Sequence, residues 1–186
     1  MTFPGHGEPV VLHAHEGEYV VIGGNTRCTF KVTGRDTDKH FGLFELEMDP
    51  GALGARPHTH SRLTEIFYVV DGEVELLAGR KRVTGRRGTL LLVPPNSVHG
   101  FANTGRLPAT LLIMFCPADR REEYFAGLAE LTKDGRQPGR EEMVSLMKRF
   151  DQEMVDEVAF PWPRCHSQQK EPPRPRNGGE GWGEGV

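Results

Sequence analysis

No stretch of the 186-residue chain approaches the roughly 20 consecutive apolar residues that a membrane-spanning helix needs. The N-terminus, Met1-Thr2-Phe3-Pro4-Gly5-His6, has no basic region followed by an apolar segment. Both absences predict a cytoplasmic protein with no membrane partner. Cysteine is scarce as well. Cys28, Cys116 and Cys165 are odd in number, widely spaced and without a CxxC, which argues against a disulfide framework and for reduced, structurally incidental thiols. Positive charge is not in surplus: 23 Lys and Arg stand against 26 Asp and Glu, for a net charge of −3. No Lys/Arg stripe is interleaved with aromatics, so nucleic acid is not an expected partner.

What the chain does have, from Tyr19 to Cys116, is a series of short β-like runs divided by turn chemistry. Phe44-Glu45-Leu46-Glu47-Met48 alternates with period 2, which buries Phe44, Leu46 and Met48 and turns both glutamates outward before Asp49-Pro50-Gly51 reverses the chain. Ile66 to Val70, then Asp71-Gly72, then Glu73 to Leu77 reads as a hairpin, because Asp-Gly supplies the positive φ of a tight turn. Strands at this spacing predict an all-β antiparallel sandwich or barrel.

Beyond Pro117 the period changes. Residues 119 to 131 and 140 to 158 carry apolar side chains near helical spacing and predict two helices packed on the barrel exterior or at a subunit interface. From Phe160 the prolines and glycines cannot bury enough apolar surface to offset ordering entropy. The expected organisation is an N-terminal arm (1–18), a β-barrel (19–118), a helical segment (119–159) and a disordered Pro/Gly-rich tail (160–186). Edge strands and apolar helices together predict a homodimer.

The candidate chemistry lies in four residues. His58 and His60, at i and i+2 on an extended strand, present both imidazoles to the same face; Glu65 and, after Pro94-Pro95-Asn96, His99 complete the set. Imidazole with carboxylate suits a divalent first-row metal, and the lack of thiolate argues against a closed structural zinc site and for an open coordination position. His13-Ala14-His15 is a second HxH, but no carboxylate or third histidine stands at a matching distance in sequence, so it reads as an exposed segment.

The spacing His58-x-His60-x4-Glu65-x6-Gly72, followed by Gly88-x5-Pro94-x-Asn96-x2-His99-x3-Asn103, resembles the two signature motifs of the cupin superfamily. Two turn positions depart from the pattern. Ala52 stands beside Gly51 near the expected leading glycine, and Asn96 replaces an internal glycine, a substitution that asparagine's tolerance of positive φ permits. The resemblance implies a double-stranded β-helix, or jelly-roll barrel, with His58, His60, Glu65 and His99 on one divalent metal. Fe, Ni, Co or Mn lead, with Zn and Cu as alternatives.

Phe44, Met48, Phe67, Val69, Phe101, Ile113 and Phe115 are the expected pocket walls. Within cupins the chain resembles single-domain quercetin dioxygenase-like proteins, although Asp38-Lys39-His40 departs from the Gly-Gly that often follows the preceding threonine. That resemblance implies a dioxygenase (an oxidoreductase) acting with O2 on a phenolic or enolisable, flavonol-like substrate, with Glu65 as ligand or general base. A metal-dependent isomerase, cyclase or lyase that uses no O2, and a non-catalytic small-molecule-binding cupin, are the alternatives.

Overall fold

The computed structural model describes residues 9–158 and residue 160; the expected tail from 161 onward lies outside them. Two antiparallel sheets face each other. The larger runs β1-β2-β3-β10-β5-β8, built from Glu18–Ile22, Thr26–Val32, Gly42–Met48, Ala109–Cys116, Thr64–Asp71 and Leu90–Val93. The smaller runs β11-β4-β9-β6-β7, built from Glu153–Met154, Leu53–Thr59, His99–Ala102, Glu73–Ala78 and Lys81–Arg86. This is the expected cupin jelly roll, with helices α1 (Arg121–Leu131) and α2 (Arg140–Lys148) at the C-terminal end.

Period-2 patterning builds the core. β3 and β10 bury alternate residues, so Phe44, Leu46, Met48, Leu111, Ile113 and Phe115 face the opposing sheet. Gly72 closes the β5–β6 hairpin at φ 73°, and a Cβ there would sit 2.5 Å from the Pro108 carbonyl oxygen, so only glycine fits. Asn96 sits at φ 63° and its N–H donates to the His60 carbonyl at 2.7 Å, which ties the turn before His99 to the first pair of histidines. Asp38 and Lys39 also have positive φ, so the turn that glycines would make easily is kept by residues that pay a conformational cost there.

Two elements differ from the sequence expectation. β7 was not anticipated, because Lys81, Arg82, Gly85 and Arg86 mask its pattern; a charged edge strand of this kind resists pairing with another molecule. The second helix ends at Lys148 instead of continuing to residue 158. Asp151 turns the chain at φ 52°, and Glu153–Met154 then joins the smaller sheet beside β4, with Met154 opposite His58. The apolar residues Phe150 and Met154, which continue a helical period in sequence, are thus buried and partly buried by a different geometry. The helices, for their part, pack against edge strands of the two sheets. α1 packs on β1 and α2 on β11, so together they cover the side between the two sheets.

Candidate metal centre

His58 lies in β4, His60 follows it directly, Glu65 is the second residue of β5 and His99 opens β9. His58 and His99 are register partners, which brings the two halves of the motif together across one ladder. All four side chains are buried, and one ligand atom from each falls within 4.8 Å of every other. His58 Nε2 lies 3.2 Å from His60 Nε2, and Glu65 Oε2 lies 3.1 Å from His60 Nε2 and 2.7 Å from His99 Nε2.

The outer ring nitrogens fix the tautomers. Nδ1 of His58 donates to the Arg56 carbonyl at 2.7 Å, Nδ1 of His60 to the Asp151 carbonyl at 2.6 Å, and Nδ1 of His99 to the Ser97 carbonyl at 2.9 Å. A carbonyl only accepts, so each Nδ1 carries a proton and each ring turns its Nε2 inward, where it can offer a lone pair to a cation. Three such lone pairs and a carboxylate oxygen repel one another unless a cation or shared proton lies among them. The spacings match adjacent ligands about 2.1 Å from a divalent ion, which stand roughly 3 Å apart. The donor set therefore fits a divalent metal.

The local field agrees. Burial, then the His99 and His60 rings, hold His58 well below the ordinary histidine range. For His99 burial also works downward, but the Glu65 carboxylate outweighs it and the net shift is upward. Burial alone would raise Glu65; interaction with His99 and His60 more than reverses it and leaves the carboxyl far below its usual range, ionised at neutral pH.

A cavity of about 290 Å³ opens from this cluster. His58, His60 and Glu65 form its inner end, and the side of β4 from Leu53 to Arg56 forms one wall. Among the expected wall residues Phe101, Ile113 and Phe115 line it. Phe44, Met48, Phe67 and Val69 do not. They face inward, but the opposing sheet or α1 covers them: Phe44 packs against Phe30, Phe115 and Phe125, and Phe67 against Phe101 and His99. The rest of the lining comes from Ile22 and Leu46 of the larger sheet and from the C-terminal segment, with Tyr124, Phe125 and Leu128 of α1 and Met143 and Met147 of α2. Facing on a strand is legible from alternation, whereas which inward side chains a later helix will cover is not.

Sequence reasoning also missed the residues behind His60. Asp151 donates no proton there but supplies the carbonyl that orients His60, while its carboxylate accepts from the Ser61 hydroxyl at 2.5 Å and from the N–H groups of Ser61 (3.2 Å) and Arg62 (2.9 Å). Arg121, 1 % exposed, donates to Gln152 Oε1 at 3.1 Å, and Gln152 Nε2 donates to the Tyr124 hydroxyl at 3.1 Å. Nη2 of Arg121 lies 3.2 Å from His60 Nδ1, but that nitrogen's proton points at Asp151, so the contact is not a second hydrogen bond. No sequence signal marks Arg121: it is one arginine among several in a polar helix start.

The other histidine pair is exposed, as its sequence reading expects. His15 does meet carboxylates in space, with Nδ1 3.0 Å from Glu47 and Glu45 close by, but the histidine is exposed and both carboxylates are only partly buried. Asn103, fully buried, donates through Nδ2 to the carbonyls of Met48, Asp49 and Leu107 and pins the loop between β9 and β10.

Comparison with known proteins agrees with this fold. Residues 44–115 match the family model described as Cupin domain. The RmlC-like cupin from Shewanella frigidimarina superposes with a TM-score of 0.52 at 23 % identity, over 62 % of this chain and 96 % of that one. The polyketide cyclase RemF from Streptomyces resistomycificus gives 0.53 at 20 % identity, over 61 % and 82 %. Among curated sequences, germin-like protein subfamily 2 member 2 of Arabidopsis thaliana is 33 % identical over 118 residues, 61 % of this chain and 51 % of that protein. The chain spans about half the length of that relative. The fold is thus that of the cupin double-stranded β-helix, residues 44–115 match the Cupin domain model, and His58, His60, Glu65 and His99 build a cluster able to hold a metal ion.

Proposed function

We propose that the protein is a divalent-metal-dependent dioxygenase of the quercetinase-like cupin kind, with His58, His60, Glu65 and His99 as ligands. Its substrate would be a phenolic or enolisable aromatic molecule. The observation that carries this reading is the inward convergence of three Nδ1-anchored imidazoles and one carboxylate at the closed end of a largely apolar cavity. A bound divalent ion would supply Lewis acidity, lowering the pKa of a substrate hydroxyl and leaving an electron-rich oxyanion open to dioxygen.

The chain's own contribution follows from the geometry. Phe101, Ile113, Phe115 and Phe125 give an aromatic ring a dry, shape-defined wall. Glu65 is ionised, and its contacts with the histidines run through Oε2, so Oε1 is the oxygen available to take the substrate's hydroxyl proton. The helical cover from α1 and α2 limits bulk water at the reacting end. The exposed apolar residues Tyr68, Leu90 and Leu92, adjacent on β5 and β8, support a homodimer contact on the outer face of the larger sheet.

The test is aerobic and anaerobic turnover of protein loaded separately with iron, nickel, cobalt or manganese, against a panel of flavonols and related phenols. The reading expects oxygen uptake that matches substrate loss, and a fall in turnover of about 10²-fold or more in Glu65→Gln with metal still bound. Product formation at an undiminished anaerobic rate would move the assignment to an isomerase, cyclase or lyase on the same metal. Stoichiometric ligand binding without turnover would make it a binding module.

A further inference from the structure

Arg121 is among the largest fully buried side chains of the protein, and among the described residues no carboxylate lies within ion-pair distance of it. A buried guanidinium without a direct anionic partner is costly to keep. Arg121 lies behind the cavity wall; of the arginines that line the cavity, Arg136 and Arg140 are tied to Glu142 and Asp156, and Arg56 also interacts with Asp156, which largely offsets their charge. Arg121 is held instead by neutral groups: the Gln152 carbonyl oxygen at 3.1 Å, and the faces of Phe115 and Tyr124 with ring centroids 4.6 and 5.1 Å from its central carbon. These contacts aim the charge at the back of His60, and Glu65 is the carboxylate that most stabilises it.

We infer that Arg121 is a positioning residue that makes this metal centre selective for ligands bound as anions, such as carboxylates, phenolates and enolates, over neutral donors. The inference rests on the metal reading given above. One divalent ion, one carboxylate and one guanidinium leave the inner end of the cavity with surplus positive charge in surroundings of low polarity, where such a field is screened little. A neutral ligand gains nothing from that surplus, whereas an anion gains a favourable interaction without touching Arg121. The Phe115 ring, which both lines the cavity and stacks on the guanidinium, couples the charge to the substrate's position.

The experiment uses the full chain loaded with cobalt(II) and follows the visible absorption bands during titration with azide, an anion, and imidazole, a neutral donor. Two variants remove the field by different routes. Arg121→Gln deletes the charge, and Gln152→Glu leaves Arg121 in place but sets a carboxylate against it. Both are expected to weaken azide binding about tenfold or more while imidazole binding changes less than about threefold. Arg121→Lys, which restores a cation, is expected to restore most of the azide affinity.

A purely structural strut predicts changes in melting temperature with an unaltered azide-to-imidazole ratio, and that ratio in either folded, metallated variant would overturn the inference. The two readings fail separately. Wild-type protein that takes up no cobalt at the four ligands defeats the metal assignment, whereas normal cobalt uptake with unaltered anion preference in the variants defeats only the role of Arg121.

Discussion

Two clusters in this protein bring histidine and carboxylate together: His58, His60, Glu65 and His99 inside the barrel, and His15, Glu45 and Glu47 on its outer surface. By separation of ligand atoms alone both qualify. Their surroundings separate them. In the inner cluster every Nδ1 is engaged by a backbone carbonyl, and Glu65 faces only histidines. In the outer cluster Glu45 lies 3.5 Å from Lys31 and Glu47 3.7 Å from Arg27, so the carboxylates already have cations, and His15 is about two-thirds exposed. Residue type and distance admit a site; fixed tautomers and unspent negative charge are what make it a good one.

The largest expected effect breaks the comparison outright. His99→Ala should abolish stoichiometric metal binding, whereas His15→Ala should leave it unchanged, as measured by elemental analysis after dialysis. Because metal binds the folded state, saturation at about 1,000 times Kd stabilises by roughly 4 kcal/mol, equivalent to about 8–16 °C in Tm for a chain of this size. Chelation of the wild type should therefore lower Tm by that order, and chelation of His99→Ala should not lower it. An equal metal loss in His15→Ala would show that the outer cluster contributes to binding and would end the distinction.

A smaller effect tests the support and not the ligands. Asp151→Ala keeps a carbonyl at the position that orients His60, but removes the carboxylate that holds Ser61 and Arg62 and places alanine at a left-handed φ. The expected result is metal affinity about tenfold weaker and a loss of about 1–2 kcal/mol in stability, read by competition with a coloured chelator and by thermal melting. Unchanged affinity with lowered stability would mean that the C-terminal segment holds the barrel together without tuning the centre.

The inner cluster was legible in sequence because its information is local. Two residues apart on a strand fixes a shared face, and Asp71-Gly72 fixes a hairpin. The alternation of β3 and β10 likewise gave the core. What was not legible depends on contacts between distant segments. Phe44 and Phe67 have the same inward facing as Ile113 and Phe115, but α1 and the opposite sheet decide which of them a ligand can reach. Arg121, Asp151 and Gln152 act on His60 from more than 60 residues away along the chain, and none belongs to a motif. The outer cluster shows the same limit from the other direction: His15 meets Glu47 only because β3 passes beneath the N-terminal segment.

The smallest effect sharpens how far a turn can change without touching the centre it serves. Asn96 is exposed, so replacing it changes backbone preference and little packing, and its N–H bond to the His60 carbonyl survives any substitution except proline. Asn96→Gly relieves the left-handed strain but adds freedom to the unfolded chain, and these opposing terms should leave stability within about 0.5 kcal/mol of the wild type. Asn96→Ala keeps the strain without asparagine's tolerance of positive φ and should cost about 1 kcal/mol, or roughly 2–4 °C in Tm. Metal affinity should stay within twofold in both, because the ring of His99 is set by the Ser97 carbonyl and not by the side chain at 96. If Asn96→Ala instead loosened the metal as much as Asp151→Ala, the turn would have to be counted with the residues that orient the imidazoles, and the centre would depend on the strain of its backbone as well as on its carbonyl partners.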